Sequence, residues 1–388
     1  MIEYLMKNTI VFVQMYGGKG STGSGGGLVF QETLAKYLTE KNFNVYAITN
    51  PSDKYGFDFL KDKRLIAHFK DGNNTAINTF LFNYKLLKNE LFRIIKNLPK
   101  NSIFISVDPF PQDVIAAYYI KHKLKRNVII TMHHITPSIF FHPIRRGMLR
   151  SFIAWSISIF ALYIIKTQSI PIFLDNKRIA KETGWNLNNL LMEMPLSTES
   201  NIIPLKNKNG FVACFIGRPT KNKGIIDLIL SWIYVTKSIP SAQLYIIGND
   251  SGNKKYQKLI DKYKLTGSII ITGFLDKNDK NEIMSRSKLF VFPSYEEGWS
   301  LAVMEAINSG LLPIIYNIPA YDYVCNRDIK VKPGDINNFA NKIIYFFHNQ
   351  EKTNTLILQL QECNKKYSTE YVYDIWINQI NKKFKLDV

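Results

Sequence analysis

The sequence predicts an α/β protein with two Rossmann-like domains that face a cleft. The chain has 388 residues, which is too long for one ordinary core and suits two domains. Its first half alternates short apolar runs with longer amphipathic runs, the order expected of a parallel sheet wrapped by helices. The alternation restarts at Phe211 after a polar stretch, residues 197–209, which is the expected hinge.

The first half predicts strands and helices in turn. Apolar runs predict strands over residues 9–15, 44–48, 102–107 and 127–132. Helical spacing predicts helices over residues 28–41, 80–97 and 114–123. The uncharged run 151–165 is shorter than the roughly 20 residues needed to span a bilayer. It therefore predicts either a buried helix leading into a strand or an interfacial segment.

The second half contains further apolar runs, several of which end in glycine. Strands are predicted at residues 211–216, 244–250, 269–275 and 288–292. Aromatic and aliphatic residues recur at helical spacing over residues 369–384, which predicts a terminal helix.

The charge of the chain narrows the class of partner. The formal net charge is +19, which favours an anionic partner such as nucleic acid or a membrane surface. No acidic residue lies between Asp113 and Asp175, whereas eight basic residues do: Lys121, Lys123, Lys125, Arg126, Arg145, Arg146, Arg150 and Lys166. The sequence lacks a recognisable nucleic-acid module, so anionic lipid is the predicted partner, with Phe140 or Phe141 as apolar anchors.

The cysteines and the N-terminus indicate the compartment. Cys214, Cys325 and Cys363 stand far apart without metal-ligand spacing, which predicts reduced thiols in a cytosolic protein. The apolar run at residues 9–15 is short and is interpreted as a first strand, not as a signal peptide. We therefore expect a cytoplasmic protein at the inner face of the cell membrane.

Residues 293–313, PSYEEGWSLAVMEAINSGLLP, place Glu297 and Glu305 eight positions apart across a predicted strand-to-helix turn. Glu297 is expected at the mouth of the helix and Glu305 about two turns inside it. A helix N-terminus favours phosphate, here through the backbone N–H groups of Gly298, Trp299 and Ser300. Carboxylates only accept hydrogen bonds, so they suit hydroxyl-rich ligands. The pattern predicts a nucleotide sugar, with its sugar beside the first glutamate and its ribose diol beside the second.

This segment resembles the Glu-x7-Glu signature of the family 4 glycosyltransferases, which are retaining enzymes of the GT-B fold. Upstream, FVACFIGRPTKNKGIIDL at residues 211–228 is similar to the family's phosphate motif, and its matching residues are Gly217, Arg218, Lys223 and Gly224. Arginine offers a planar fork and lysine a compact charge, which together can neutralise a diphosphate leaving group. The resemblance covers most of the chain and is strongest in its C-terminal half.

The resemblance also implies roles for residues elsewhere. It implies a base pocket at Gly273 and Phe274, donor contacts at Gly26 and Gly27 in the glycine-rich loop 16–27, and a His133 that reaches the donor sugar and the acceptor side. It implies that the terminal helix crosses back onto the first domain. The implied domains are an acceptor-side domain, 1–196 with 369–388, and a nucleotide-sugar domain, 210–368, joined by residues 197–209.

The sequence departs from the family pattern at three places, one of which is the loop after the signature, where Tyr321 or Asp322 replaces the more usual small residues. His134 stands where the family usually has Asp, and MEMPLS at residues 192–197 replaces a Pro-Asn-Gly-Val motif, so local contacts differ. No Asp-x-Asp pair occurs. We therefore expect no metal and no other cofactor, with the diphosphate held by Arg218, Lys223 and a helix terminus.

The sequence thus predicts transfer of a hexose-type sugar from a nucleoside diphosphate, UDP favoured over GDP-mannose, to a lipid-linked glycan or glycolipid. Three alternatives stay open. A nucleotide-sugar epimerase on the same scaffold would turn over the donor alone. A non-catalytic subunit would bind nucleotide sugar or membrane and recruit an active partner. A nucleic-acid binder would show steep salt dependence.

Overall fold

The structure is a computed structural model that describes residues 9–13, 26–49, 60, 65–67, 95–106, 111–132, 148–174, 191–197, 210–248 and 255–384. By internal contacts the chain divides into two units. The first contains the described residues up to Leu196 together with those from Thr369 onward, and the second contains those from Ser197 to Ser368.

In the first unit, the described strands form a parallel sheet of seven, in the order β3-β2-β1-β4-β5-β6-β7. They are β1 Thr9–Val13, β2 Asn44–Thr49, β3 Leu65–Ala67, β4 Ile103–Ser106, β5 Asn127–Met132, β6 Ile172–Leu174 and β7 Leu191–Glu193. The helices described before the second unit are α1 Gly26–Glu40, α2 Pro111–His122 and α3 Met148–Thr167. Strand residues such as Val11 and Phe104 are fully buried because helices cover a parallel sheet on its faces.

In the second unit, the described strands form a parallel sheet of six, in the order β10-β9-β8-β11-β12-β13. They are β8 Val212–Ile216, β9 Gln243–Ile247, β10 Ile269–Gly273, β11 Leu289–Phe292, β12 Leu312–Tyr316 and β13 Lys330–Val331. The chain builds outward from β8 to β10 and then returns to place β11 on the other side of β8. The strand order therefore reverses between β8 and β11, and ligands of open parallel sheets bind at the carboxyl edge of such a point.

Six helices are described in the second unit: α4 Ile225–Ser238, α5 Lys255–Lys262, α6 Lys277–Arg286, α7 Leu301–Asn308, α8 Ile336–His348 and α9 Gln350–Asn364. Two 3₁₀ turns lie at Pro319–Tyr321 and Lys365–Tyr367. One continuous core joins the sheet to the helices through side chains such as Leu228, Trp232 and Phe290.

The terminal helix α10, Thr369–Phe384, packs against the first unit. The Trp376 ring lies 5.0 Å from that of Phe30 and 4.3 Å from that of Phe173, between centroids. The Tyr37 hydroxyl donates to Asp374 over 3.1 Å, and burial together with that carboxylate raises the pKa of Tyr37 to about 12. The predicted fold class, two parallel-sheet halves with a helix that returns to the first, is confirmed.

Helix α3 covers the run that was predicted to be either buried or interfacial. Ala161, Leu162 and Ile165 are buried, whereas Phe160 and Tyr163 are 52% and 58% exposed. The helix therefore has one core face and one exposed aromatic face. Within the described residues, no helix is long and apolar enough to cross a bilayer.

The residues predicted to dock on lipid differ in their exposure and contacts. Lys123 and Lys125 are exposed. Arg126 donates to the carbonyls of Ile95, Leu98 and Pro99 at 3.0–3.3 Å, which gives it a structural role, and its role in docking stays a prediction. Outside the described residues lie Phe140, Phe141, Arg145, Arg146 and the side chain of Arg150.

The cysteine prediction is wrong for two of the three residues. Cys325 and Cys363 form a disulfide with Cα atoms 6.6 Å apart, while Cys214 is free and buried in the core of the second unit. The bond joins the segment before β13 to the end of α9. Thirty-eight positions separate the two residues, so their pairing was not readable from spacing.

Candidate active site

Three glycines form the carboxyl edge of strands β8, β9 and β10. Gly217 donates its backbone N–H to Ile247 over 2.9 Å, and Gly248 donates to Gly273 over 2.8 Å. A Cβ atom on Gly248 would lie 2.1 Å from the Gly217 carbonyl oxygen, so only glycine fits there. This edge presents backbone without side-chain bulk, which permits close approach by a ligand.

The loop after β8 and the loop after β11 touch at Gly224. Gly224 has a left-handed backbone, with φ 69°, and precedes α4. A Cβ atom there would lie 1.9 Å from the Pro293 carbonyl oxygen. The glycine of the predicted phosphate motif therefore allows the two loops to meet at the point where the strand order reverses.

Hydrogen bonds with Asn222 fix the start of the loop after β11. The Asn222 carbonyl accepts from the Tyr295 backbone N–H at 2.9 Å and from the Ser294 hydroxyl at 3.3 Å. Its side-chain amide donates to the Glu296 carboxylate over 3.1 Å. Residues 294–296 are thus held against the phosphate motif, which fixes the backbone that carries Glu297.

A half-buried carboxylate also anchors this loop. Asp227, in the first turn of α4, accepts hydrogen bonds from the hydroxyls of Tyr295 and Tyr316, the latter at 2.8 Å. Burial, reinforced by Asp227, raises the pKa of Tyr316, so its phenol stays protonated as the donor. The Tyr295 and Tyr316 rings meet edge to face with centroids 5.0 Å apart.

Lys223 and Glu297, two residues predicted to be catalytic, form an ion pair. Their nitrogen and oxygen lie 2.5 Å apart, and the side chains are 28% and 8% exposed. The Lys223 ammonium also lies 5.5 Å from the centre of the Phe292 ring. A pair shielded in this way is less screened by salt than a surface pair. Arg218, the other predicted catalytic cation, is exposed in the same loop.

Glu305 lies closer to the helix start than predicted. Helix α7 begins at Leu301, with the Ser300 hydroxyl accepting from the backbone N–H of Val303. Glu305 is therefore little more than one turn inside the helix, not two. Its carboxylate pairs with Lys280 of α6, and the two side chains are 21% and 22% exposed, with lysine first.

The turn between the two glutamates has an aromatic support. Trp299 stacks on Tyr323 with ring centroids 4.3 Å apart and planes 11° from parallel, and Tyr367 contacts it edge-on at 5.2 Å. The Tyr323 hydroxyl donates to the Ser300 carbonyl over 3.1 Å. Burial, with Glu297 nearby, raises the pKa of Tyr323, which keeps this donor protonated. The backbone of Gly298, Trp299 and Ser300, predicted to face phosphate, is thereby fixed in position.

The remaining predicted donor contacts are distributed over both units. Gly273 has a φ of +76° with nothing within 4 Å of an added Cβ, and the next residue, Phe274, is 69% exposed. Gly26 and Gly27 open helix α1 in the first unit. His133 directly follows β5 and lies outside the described residues. The donor-binding roles of the four glycine and phenylalanine residues and the catalytic role of His133 stay predictions.

Four residues that position the site were missed by sequence reasoning: Asn222, Asp227, Tyr295 and Lys280. The first three act through contacts to residues 68–89 positions away, which no local pattern reveals. Lys280 did carry a signal. It lies three and four residues before Ile283 and Met284, which are buried, so it is a cation on the inward face of a helix.

One structural observation concerns the prediction that the reaction needs no metal. Among the described residues, no group of three or more His, Cys, Asp or Glu side chains is arranged to hold a metal ion. The absence of a metal from the reaction stays a prediction.

Residues 197–361 match the family described as "Glycosyl transferases group 1", and this range contains both cations and both glutamates of the site. Together with the glycosyltransferase relatives below, this match identifies the chain as a glycosyltransferase. The glycosyltransferase is 27% identical over 315 residues to an uncharacterized glycosyltransferase of Methanocaldococcus jannaschii, an alignment that covers 74% of this chain and 71% of the relative.

Two further relatives carry functional names. The glycosyltransferase is 30% identical to the alpha-monoglucosyldiacylglycerol synthase of Acholeplasma laidlawii, over 48% of this chain and 50% of that protein. It is 29% identical to an Escherichia coli UDP-Gal:alpha-D-GlcNAc-diphosphoundecaprenol alpha-1,3-galactosyltransferase, over 38% of each chain. The match thus spans half or less of both proteins.

Among solved structures, the glycosyltransferase resembles the sucrose-phosphate synthase of Thermosynechococcus elongatus. The TM-score is 0.77 at 15% identity, with 98% of this chain and 100% of that chain covered. At such low identity the likeness establishes the fold, and the chemistry of this chain is argued from its own residues.

Proposed function

We propose that this glycosyltransferase moves a hexose-type sugar from UDP, with retention of anomeric configuration, to a lipid-linked glycan or glycolipid at the inner face of the cell membrane. The observation that supports this proposal most directly is the shielded Lys223–Glu297 ion pair at the point where the strand order reverses. A cation and a carboxylate side by side match the two charges that separate when a sugar–diphosphate bond breaks.

In the proposed mechanism, Lys223 and Arg218 stabilise the departing diphosphate. The acceptor hydroxyl attacks from the same face as the leaving group, and its proton passes to a phosphate oxygen. Glu297 orients the sugar and stabilises positive charge as it develops at the anomeric carbon. Since that charge exists mainly in the transition state, the carboxylate contributes more to the rate than to binding.

Two observations support a membrane-associated acceptor. The names of two relatives include a diacylglycerol lipid and a diphosphoundecaprenol carrier, and one of them names UDP-Gal as its donor. In this chain, helix α3 exposes Phe160 and Tyr163 within a stretch that has no acidic residue. Aromatic side chains beside cations suit the interface of an anionic membrane.

The experiment is an assay of the purified full chain with UDP-glucose, UDP-galactose, UDP-N-acetylglucosamine and GDP-mannose. Each donor is offered with diacylglycerol, undecaprenyl-diphosphate-linked sugar or no acceptor, and the product linkage is assigned by NMR. We expect an α-linked product from one UDP-sugar only when a lipid acceptor is present. Turnover of the donor without acceptor would favour the epimerase alternative, and an inverted product would exclude retention.

The same assay tests the metal-free mechanism that we propose. Because Lys223, Arg218 and backbone N–H groups can carry the diphosphate charge, we expect the rate to be unchanged in EDTA. Loss of transfer in EDTA that manganese restores would contradict the proposal.

A further inference from the structure

The second glutamate of the signature is not alone, because Lys280 pairs with Glu305. Both side chains are about one-fifth exposed, in contrast to the exposed pair Lys365–Glu362, whose side chains are 61% and 69% exposed. Surface pairs contribute little to stability, and burying a lysine costs desolvation. A shielded lysine at this position therefore calls for an explanation beyond the surface charge of the chain.

The local structure directs Lys280 toward Glu305. Helix α6 begins after Asp276, whose carboxylate accepts from the backbone N–H groups of Asn278 and Asp279 at 2.8 and 3.0 Å. Ile283 and Met284 bury the inward face of the helix, and Lys280 lies on that face one turn earlier. The loop that enters α6 carries Phe274, so Lys280 lies six positions after a residue of the predicted base pocket.

The chemistry of a ribose diol explains why a lysine is needed there. Each hydroxyl is both a donor and an acceptor, whereas a carboxylate can only accept. Glu305 alone would leave the oxygen lone pairs of the diol without a donor. A lysine ammonium offers three N–H donors and no acceptor, so the pair supplies both halves of the hydrogen bonding that the diol requires. It also neutralises a carboxylate that would otherwise repel a diphosphate.

We infer that Lys280 is a specificity-determining residue that completes the ribose site with Glu305. The Lys280–Glu305 pair selects ribonucleoside diphosphates, and Lys280 both orients the carboxylate and donates to the diol. This inference rests on the proposed function for the donor, and it adds a residue to which neither the glutamate signature nor the phosphate motif assigns a role.

The test is calorimetric titration of the full chain with UDP and with 2′,3′-dideoxy-UDP, which lacks the diol. The variants are Lys280→Met, Lys280→Arg and Glu305→Gln. The matched control is Lys277→Met, an exposed lysine one turn earlier on the same helix. We expect Lys280→Met to lower UDP affinity about tenfold and to leave dideoxy-UDP affinity nearly unchanged. Lys280→Arg should retain most of the preference, and the control should behave as the wild type does.

Two sets of results would contradict the inference or the proposed donor site. If Lys280→Met weakens both nucleotides equally, or neither, while Glu305→Gln loses the preference for UDP, the lysine is a structural partner and the inference is wrong. If Glu305→Gln also keeps the preference, or if the wild type does not bind UDP, the proposed donor site itself is wrong. Should Lys280→Met fail to fold, Lys280→Gln carries the same expectation, and in the Glu305→Gln background either change should have little further effect.

Discussion

At the scale of single residues, each signature glutamate of the candidate site forms an ion pair with a lysine. Glu297 is 8% exposed on its side chain and pairs with Lys223, and Glu305 pairs with Lys280. Each lysine offsets the cost of partly burying a carboxylate, which would be several kcal/mol for an isolated ion. In the proposed mechanism, Lys223 pairs with the diphosphate of the donor in place of Glu297. The Glu297 carboxylate can then contact the sugar.

The Glu297→Gln variant should lower kcat by about 100-fold or more and change UDP affinity little, because the lost charge matters most in the transition state. Initial rates and calorimetry on the same preparation measure both quantities. The matched control is Glu296→Gln, whose side chain can still accept the hydrogen bond from Asn222. Equal losses of rate and affinity would mean that Glu297 only binds the donor.

The Gly224→Ala variant should destabilise the second unit through a steric clash. The added Cβ would lie 1.9 Å from the Pro293 carbonyl oxygen. The alanine would also have to adopt the left-handed backbone conformation, with φ +69°, that the glycine has. The backbone alone costs roughly 1–2 kcal/mol, and the clash adds to it.

Gly267→Ala separates these two contributions. Gly267 also has positive φ, +90°, but nothing lies within 4 Å of an added Cβ. Urea unfolding should therefore give a larger loss for Gly224→Ala than for Gly267→Ala. Equal losses would show that the contact between the two loops is not tightly fixed in solution.

At the scale of helices and strands, most of the fold was predictable because it depends on local pattern. Strand β5 and helix α10 have the bounds that hydrophobic periodicity predicted, residues 127–132 and 369–384. The glycines that end β8, β9 and β10 marked the carboxyl edge where the site lies. The depth of Glu305 was misjudged because the N-cap at Ser300 starts α7 later than the glutamate spacing implied.

The unpredicted features are those that join distant parts of the chain. Asp227 meets Tyr316 across 89 positions, and Cys325 meets Cys363 across 38. Such contacts depend on the order of strands in the sheet, which no single segment encodes. Lys280 belongs to the same class, although its position one turn before the buried Ile283 and Met284 on α6 could have been noticed.

Helix α3 should contribute to membrane binding through its exposed face. Changing Phe160 and Tyr163 together to Ser should lower co-sedimentation with anionic liposomes several-fold, because each aromatic ring loses apolar contact at the interface. The control is Tyr234→Ser, a tyrosine of α4 that is 47% exposed in the second unit. Binding that is unaffected by the double change and by high salt would contradict membrane docking through this face.

At the scale of the whole molecule, the disulfide is expected to stabilise the second unit. The Cys325–Cys363 bond closes a loop with a sequence separation of 38, and cross-links of this size stabilise by about 2–4 kcal/mol. Dithiothreitol should therefore shift the urea midpoint of the second unit downward. It should not shift the midpoint of the Cys325→Ser/Cys363→Ser variant.

Thiol counting gives an independent check on the same bond. Denatured protein that was never reduced should react at one cysteine, Cys214, and reduced protein at three. Three reactive thiols before reduction would contradict the disulfide and support the three reduced thiols that the sequence predicted. Because Cys325 is exposed, reductants in solution can reach the bond.

The stacked Trp299 gives the protein an intrinsic optical reporter. Its indole packs against both Tyr323 and Tyr367 and donates to the Met304 sulfur, whereas Trp232 and Trp376 are buried in the cores of the two units. A charged diphosphate beside the backbone of Trp299 should change its emission, and buried indoles should respond less. Titration with UDP should therefore give a saturable fluorescence change that Trp299→Phe removes. A change that persists in Trp299→Phe would place the responding tryptophan elsewhere.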